Sequence, residues 1–225
     1  MTGPAATLPD RAAVVLASAS PARLATLREA GVHPRVVVSG VDETTVSSSD
    51  AAQLATRLSV LKARAVAERL SDDPDGQPGP ERWVIGCDSV LEIDGEVHGK
   101  PADSEQARRW WRSMRGRSGV LHTGHCLRVL GATEEGPVPA EVVRSVATTV
   151  RFARLEDREI DAYVATGEPL AVAGAFTVDG LGGAFVRGIE GDHHNVVGLS
   201  LPVLREMFAE VGVLWTDLWN PQPTP

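Results

Sequence analysis

Apolar runs in this chain are short and are cut by glycine, proline or capping residues, so its elements can be read in order. Residues 12–17 form a continuous apolar run and predict a buried strand. The run leads straight into Ser18-Ala19-Ser20-Pro21, where Ser20 suits a helix N-cap and Pro21 the first helical position. Leu24, Leu27 and Ala30 then recur at helical spacing until Gly31 ends the helix. Val36-Val37-Val38 predicts a second short strand, followed by a polar loop through Asp42 and Glu43. Asp50 and Gln53 have capping-box spacing and open a long helix with Leu54, Leu58, Leu61, Ala65 and Leu70 on one face. Lys62 adjoins that face, either snorkelling to water or reaching into a cleft. Residues 71–80 are dense in turn formers and predict a surface loop.

The next run, residues 83–93, is apolar and β-branched except at its middle, where Gly86-Cys87-Asp88-Ser89 places a carboxylate and a hydroxyl in a buried strand. A buried carboxylate is costly without partners, so the rest of the chain must supply cations or a metal, or leave the site open to water. Asp94-Gly95 is a two-residue hairpin signal, and the return strand, residues 96–98, brings Lys100 back toward the level of Asp88. Asp103 and Gln106 open a helix with Ala107, Trp110, Trp111 and Met114 inward, which Gly116 ends. Residues 120–130 and 141–152 read as two long antiparallel strands. His122 and His125 fall on opposite faces there and make a poor metal pair. A helix follows with Ile160, Tyr163 and Val164 inward, stopped at Gly167-Glu168-Pro169. Residues 173–183 are rich in glycine without dinucleotide-fingerprint spacing, which predicts a backbone that approaches a ligand or another strand closely, with a strand at residues 184–186. Residues 191–195 read as a turn carrying two exposed histidines, and Ser200 caps a last helix with Leu204, Met207, Phe208 and Val211 inward. Early alternation of strands and helices followed by antiparallel strands predicts an α/β fold with a two-lobed mixed sheet flanked by helices.

With 225 residues the chain can bury a substantial core, here read as one two-lobed domain over residues 12–214 between a disordered N-terminus, 1–11, and a poorly ordered tail, 215–225. A net charge of −8 leaves no basic face for polymeric nucleic acid, so any cationic site is local and sized for a small anion. No segment has the length and apolarity of a signal peptide or a membrane span, which predicts a cytoplasmic protein. Cys87 and Cys126 lie far apart and read as buried free thiols.

Candidate chemistry gathers at a few points. Ser18, Ser20 and Arg23 sit at a strand-to-helix junction, where free N–H groups and the helix dipole favour an anion. Lys62 and Lys100 add positive charge, while Asp88 and Glu43 add oxygen ligands. That mixture suits a phosphate chain with a divalent metal cation, Mg²⁺ or Mn²⁺. No Walker loop is present, which argues against a P-loop NTPase.

The stretches Leu16-Ala17-Ser18-Ala19-Ser20-Pro21-Ala22-Arg23, Val41-Asp42-Glu43, Lys62-Ala63, Gly86-Cys87-Asp88-Ser89, Gly99-Lys100-Pro101, Thr123-Gly124, Gly167-Glu168-Pro169 and Asn195-Val196-Val197-Gly198-Leu199 together resemble the Maf family. Its members were first described as septum-formation inhibitors and later as nucleoside triphosphate pyrophosphatases. The resemblance implies a fold similar to inosine triphosphate pyrophosphatases, two lobes around a cleft, a homodimer, and hydrolysis of a (d)NTP, ordinary or modified, to the monophosphate and pyrophosphate. It implies a proton-acceptor role for Asp88, and cleft positions for Ser18, Arg23, Glu43, Lys62 and Lys100. An aspartate of ordinary pKa, about 3.9, is a weak base toward water of pKa about 15.7, so either a metal acidifies the water or Asp88 itself holds the metal. At the three substrate-discriminating positions this chain has Ala22, Ser89 and Asp179, matching neither the dTTP/UTP subgroup nor the 7-methyl-GTP subgroup. Ionised Asp179 accepts hydrogen bonds only and favours a donor-rich base edge such as guanine, while Ala22 leaves room for a larger base. The competing reading is a nucleotide-binding regulator of cell division acting through a protein partner. Asp88, Lys62 and Lys100 together favour catalysis, because binding alone does not require the carboxylate.

Overall fold

The computed structural model describes residues 14–71, 83–132 and 136–219. Both the N-terminal segment 1–11 and most of the expected loop at 71–80 lie outside the described residues. The regular elements are β1 (Val14–Leu16), α1 (Pro21–Glu29), β2 (Arg35–Val36), α2 (Ala51–Ser71), β3 (Trp83–Ile93), β4 (Glu96–His98), α3 (Ser104–Met114), β5 (Ser118–Val129), β6 (Glu141–Phe152), α4 (Asp157–Ala165), β7 (Val186–Glu190), α5 (His193–Val197) and α6 (Leu201–Glu210). The strands make one mixed sheet in the order β2-β1-β3-β5-β6-β7, with β4 added to β3 off that path.

β3 organises the molecule. Along one edge it pairs with β5 from Trp83 to Glu92. Along the other edge its partner changes: β1 runs parallel to its start and stops at Leu16 opposite Ile85, while β4 returns antiparallel and reaches only Leu91 opposite His98. Among the described residues no strand therefore pairs with 86–90 on that side. The gap has a local cause at each end. β1 stops because Ser20 caps and Pro21 opens α1. β4 is short because Asp94 and Gly95, both at positive φ, make the tight primed turn and the chain leaves the sheet at Gly99-Lys100-Pro101. Such a break in the order of a sheet is a general place for ligands to bind.

α2 covers one face of β3 and β5 at unusually short range. A Cβ at Gly86 would lie 2.2 Å from the Ser59 carbonyl oxygen, and one at Gly124 would lie 2.3 Å from that of Ala55. The buried stripe is accordingly Ala51, Ala55, Leu58, Ser59, Lys62, Ala63, Val66 and Ala67. This corrects the face read from the leucines, since Leu61 is 41% exposed. Small residues, not large ones, mark the contact where helix backbone meets sheet glycine, and the rotation carries Lys62 inward.

On the opposite face two apolar cores sit at the two ends of β3. Leu16, Trp83, Ile85, Cys87, Leu204 and Phe208 belong to one. Leu91, Trp111, Phe152, Ile160, Tyr163 and Phe176 belong to the other. Between them runs a buried polar seam of Thr123, His125, Asn195 and Ser200, which gives the expected two lobes a physical boundary.

Three local readings change. Residues 191–195 are not a plain turn: Asp192 caps the short helix α5, its Oδ1 accepting from the His194 N–H at 2.9 Å, and five helical residues are too few to show a period. The strand expected at 184–186 begins only at Val186, after a 3-10 turn over Leu181–Phe185. Residues 215–218, expected to belong to a poorly ordered tail, form a 3-10 turn, and Trp215 meets Phe208 edge to face at 6.0 Å. Among the described residues no helix is long and apolar enough to cross a membrane.

Candidate active site

Asp88 and Ser89 occupy the open stretch of β3 and, as successive strand residues, face opposite sides of the sheet. Asp88 faces α2. Lys62, one of the inward residues of that helix, donates to Asp88 Oδ1 at 2.5 Å and to Glu43 Oε1 at 2.7 Å. Glu43 comes from a 3-10 turn over Glu43–Thr45, held by Asp42 Oδ1 accepting from the Thr44 N–H. One ammonium thus joins two carboxylates from separate segments. Asp88 is 7% exposed, and burial raises its pKa above the ordinary carboxylate range, against the opposing charges of Lys62 and Arg23. Burial also works against the charge on Glu43, but the hydrogen bond and charge of Lys62, with Lys100 and Arg23, outweigh it and bring Glu43 below its usual range.

Ser89 faces the polar seam. Its Oγ accepts from Arg23 Nη2 at 3.1 Å and shares a hydrogen bond of 2.9 Å with Thr123 Oγ1. Thr123 donates to the Asn195 carbonyl at 3.2 Å, and the wholly buried Asn195 donates to Thr148 Oγ1 at 3.1 Å and to the Leu121 carbonyl at 3.3 Å. Arg23 spans the gap in the sheet. Its Nη1 donates to the Cys87 carbonyl at 2.9 Å, filling a backbone position that no strand occupies, and its Nε donates to the Gly198 carbonyl at 2.7 Å. A further bond from Nη1 reaches Ser18 Oγ at 3.2 Å. Four of the five guanidinium donors are therefore spent on neutral acceptors, and among the described residues no carboxylate pairs with Arg23. Its charge acts on Asp88 and Glu43 through space and not through contact.

The two serines of the strand-to-helix junction have distinct tasks. Ser20 Oγ accepts from the Arg23 N–H at 3.4 Å as the cap of α1. Ser18 Oγ accepts from the Ser20 N–H and from Arg23, which occupies both lone pairs and leaves its O–H proton for an outside acceptor. The wholly buried His125 also belongs to the seam: its Nε2 accepts from the Ser200 N–H at 2.8 Å, and burial with the nearby Arg23 charge lowers its pKa to about 4, so it is neutral at pH 7. His122 lies on the other face and pairs with Glu92 at 3.1 Å.

The structure thus brings Asp88, Lys62 and Glu43 into direct contact and links Arg23, Ser18, Ser20 and Ser89 in a second group. Lys100 is exposed at the end of the β4 hairpin, near enough for its charge to act on Glu43. Ala22 is half-buried on the first turn of α1, while Asp179 is exposed and, among the described residues, joined to none of these by a hydrogen bond. Reading the sequence gives no role to Thr123, His125 and Asn195. The signal it does carry is that Thr123 and Asn195 stand in stretches that resemble the Maf family.

The two carboxylates that could serve as oxygen ligands, Asp88 and Glu43, meet at the Lys62 ammonium, and among the described residues no group of three or more acids, histidines or cysteines gathers that could hold a metal ion.

A family model described as a Maf-like protein matches residues 13–211. A Salinispora tropica protein named nucleoside triphosphate pyrophosphatase is 56% identical, over 94% of this chain and 91% of its own length. One of the same name from Cutibacterium acnes is 52% identical, over 92% of this chain and 94% of its own. Among solved structures, the Staphylococcus aureus Ham1 protein aligns with a TM-score of 0.40 and 16% identity over 62% of this chain and 71% of that one, a likeness too distant to carry an argument about the site.

Proposed function

The chain belongs to the Maf family, and from that premise we propose that it is a nucleoside triphosphate pyrophosphatase that cleaves its substrate between the α- and β-phosphates. The observation that carries this reading is the pairing of a buried carboxylate, Asp88, with Lys62 at a stretch where, among the described residues, β3 has a strand on one edge and not on the other. The oxygen of water adds to the α-phosphorus, the bond from that phosphorus to the bridging oxygen breaks, and pyrophosphate leaves. Asp88 orients the water and takes its proton. Burial helps, because a carboxylate whose pKa is raised is a stronger base, while Lys62 keeps enough of it ionised. Asp88 and Glu43 would hold the divalent ion, whose chemistry when bound is to make the attacking water more acidic and to offset phosphate charge.

Phosphoryl transfer depends mainly on positioning and electrostatics. Arg23 contributes chiefly its charge, since its donors are already committed; Ser18 offers its hydroxyl proton, Ser20 holds the helix start against the incoming anion, and Lys100 adds charge from the rim. Selection of the base falls to Ala22 and Asp179, with a donor-rich edge such as guanine preferred. Ser89 contributes to selection through Arg23, which its hydroxyl holds.

A panel of nucleoside triphosphates in ¹⁸O-labelled water, with Mg²⁺ or Mn²⁺, tests this directly. Label should appear in the monophosphate and not in pyrophosphate. Label in pyrophosphate would move the attack to the β-phosphorus, and dTTP or UTP cleaved far faster than any purine would remove the proposed base preference. No pyrophosphate from any nucleotide, with a folded protein, would leave the binding role in its place.

A further inference from the structure

The glycine-rich stretch after α4 is wrapped around a carboxylate that the catalytic reading does not use. Glu168 Oε1 accepts from Tyr163 Oη at 3.0 Å, Thr177 Oγ1 at 2.5 Å and the Gly182 N–H at 2.9 Å, while its Oε2 accepts from the Leu181 N–H at 3.0 Å. Tyr163 closes the ring, its Oη accepting from the Thr177 N–H at 3.3 Å. Among the described residues no lysine or arginine pairs with Glu168, so neutral donors alone hold its charge. They do so well enough to bring its pKa below the usual range in spite of burial.

The glycines are there because the chain passes so close. A Cβ at Gly180 would lie 2.7 Å from Glu168 Oε2, and one at Gly182 would lie 2.4 Å from Tyr163 Oη. Just upstream, Gly174 donates to the Gly99 carbonyl at 2.9 Å, which ties the stretch to the turn bearing Lys100. At the tip stand Asp179, exposed, and Leu181, 61% exposed. A surface turn of this kind does not need a half-buried carboxylate for stability alone, because water would satisfy its N–H groups equally well.

We infer that Glu168 is a positioning residue for substrate selection: its carboxylate, gripped by donors from Tyr163, Thr177, Leu181 and Gly182, fixes the turn that presents Asp179 beside the Lys100 rim of the cleft. The inference rests on the pyrophosphatase reading and adds to it a residue that touches neither phosphate nor the attacking water.

Glu168→Gln tests it. The amide keeps the size but sets an NH₂ group against one of the backbone donors. The ratio of kcat/KM between the best and poorest nucleotide should fall about tenfold, with kcat on the best one changed less than about threefold. Inorganic triphosphate, which lacks a base, should bind as to the native protein. Amide exchange at Leu181 and Gly182 should quicken at least about tenfold while β3 stays protected. An unchanged nucleotide ratio in a folded variant overturns the inference, as does unchanged exchange at both amides. If Glu168→Gln does not fold, Tyr163→Phe removes one donor to Glu168 and the acceptor of the Thr177 N–H, and should shift the same ratio in the same direction; an unmoved ratio there overturns the inference equally. Absence of pyrophosphate release by the native protein would overturn the parent reading and this one together, and is distinguished by occurring without any substitution.

Discussion

Asp88 and Ser89 are neighbours on one strand, yet the two faces they serve handle charge in opposite ways. On the α2 face a cation, Lys62, lies in direct contact with two carboxylates, which outnumber it in charge. On the seam face a cation, Arg23, is held by two backbone carbonyls and two hydroxyls, with no carboxylate in contact among the described residues. The difference separates two tasks. A lysine in direct contact helps keep a buried carboxylate ionised and ready to act on water. An arginine held by neutral groups at a gap in the sheet supplies potential for a phosphate without being drawn into an ion pair of its own.

Removing the acting carboxylate should have the largest effect. Asp88→Asn should lower kcat about 10²–10⁴-fold in pyrophosphate release. Its stability should not fall with its activity. Since burial raises the pKa of Asp88, ionising it costs stability as pH rises past the ordinary carboxylate range and costs none at lower pH, and in the variant Lys62 keeps Glu43 as partner. A melting point of Asp88→Asn at pH 8 well below that of the native protein would contradict this. Lys62→Met should come next, lowering kcat about 10²–10³-fold, because it leaves Asp88 and Glu43 facing each other unpaired. On the seam face the losses should appear in KM. Arg23→Lys cannot reach the same set of acceptors and should raise KM about 30-fold, or about 2 kcal/mol. Ser89→Ala, which removes a single Arg23 partner, should raise it about fivefold, or about 1 kcal/mol. Equal effects of Arg23→Lys and Lys62→Met on kcat would erase the distinction between the faces.

Much of this division is legible in the amino-acid chain alone. Ser20-Pro21 and Asp94-Gly95 fix where β1 and β3 end, because their chemistry is local, and the carboxylate at position 88 stands out against the apolar run around it. The gap in the sheet is not legible, since it arises from where β1 and β4 each stop against β3, and register is not written in either segment alone. Lys62 reads as lying beside the apolar face and not within it because the leucines of α2 outweigh its alanines. The reason for those alanines lies at Gly86 and Gly124, on other elements. Asn195 and Glu168 stand in stretches that carry the family resemblance, but what each holds together is hidden for a similar reason. Each is an ordinary polar residue whose partners come from distant strands or from a turn with no period.

The acid limb of kcat/KM, compared between the native protein and Lys62→Met on one nucleotide, tests the central claim most directly, because the substrate's own ionisation is common to both. Activity should fall as pH drops through the raised pKa of Asp88, and removing the Lys62 charge should move that fall to higher pH. A limb that stays in place or moves to lower pH in Lys62→Met would contradict the account of Asp88 as the acting carboxylate kept ionised by Lys62.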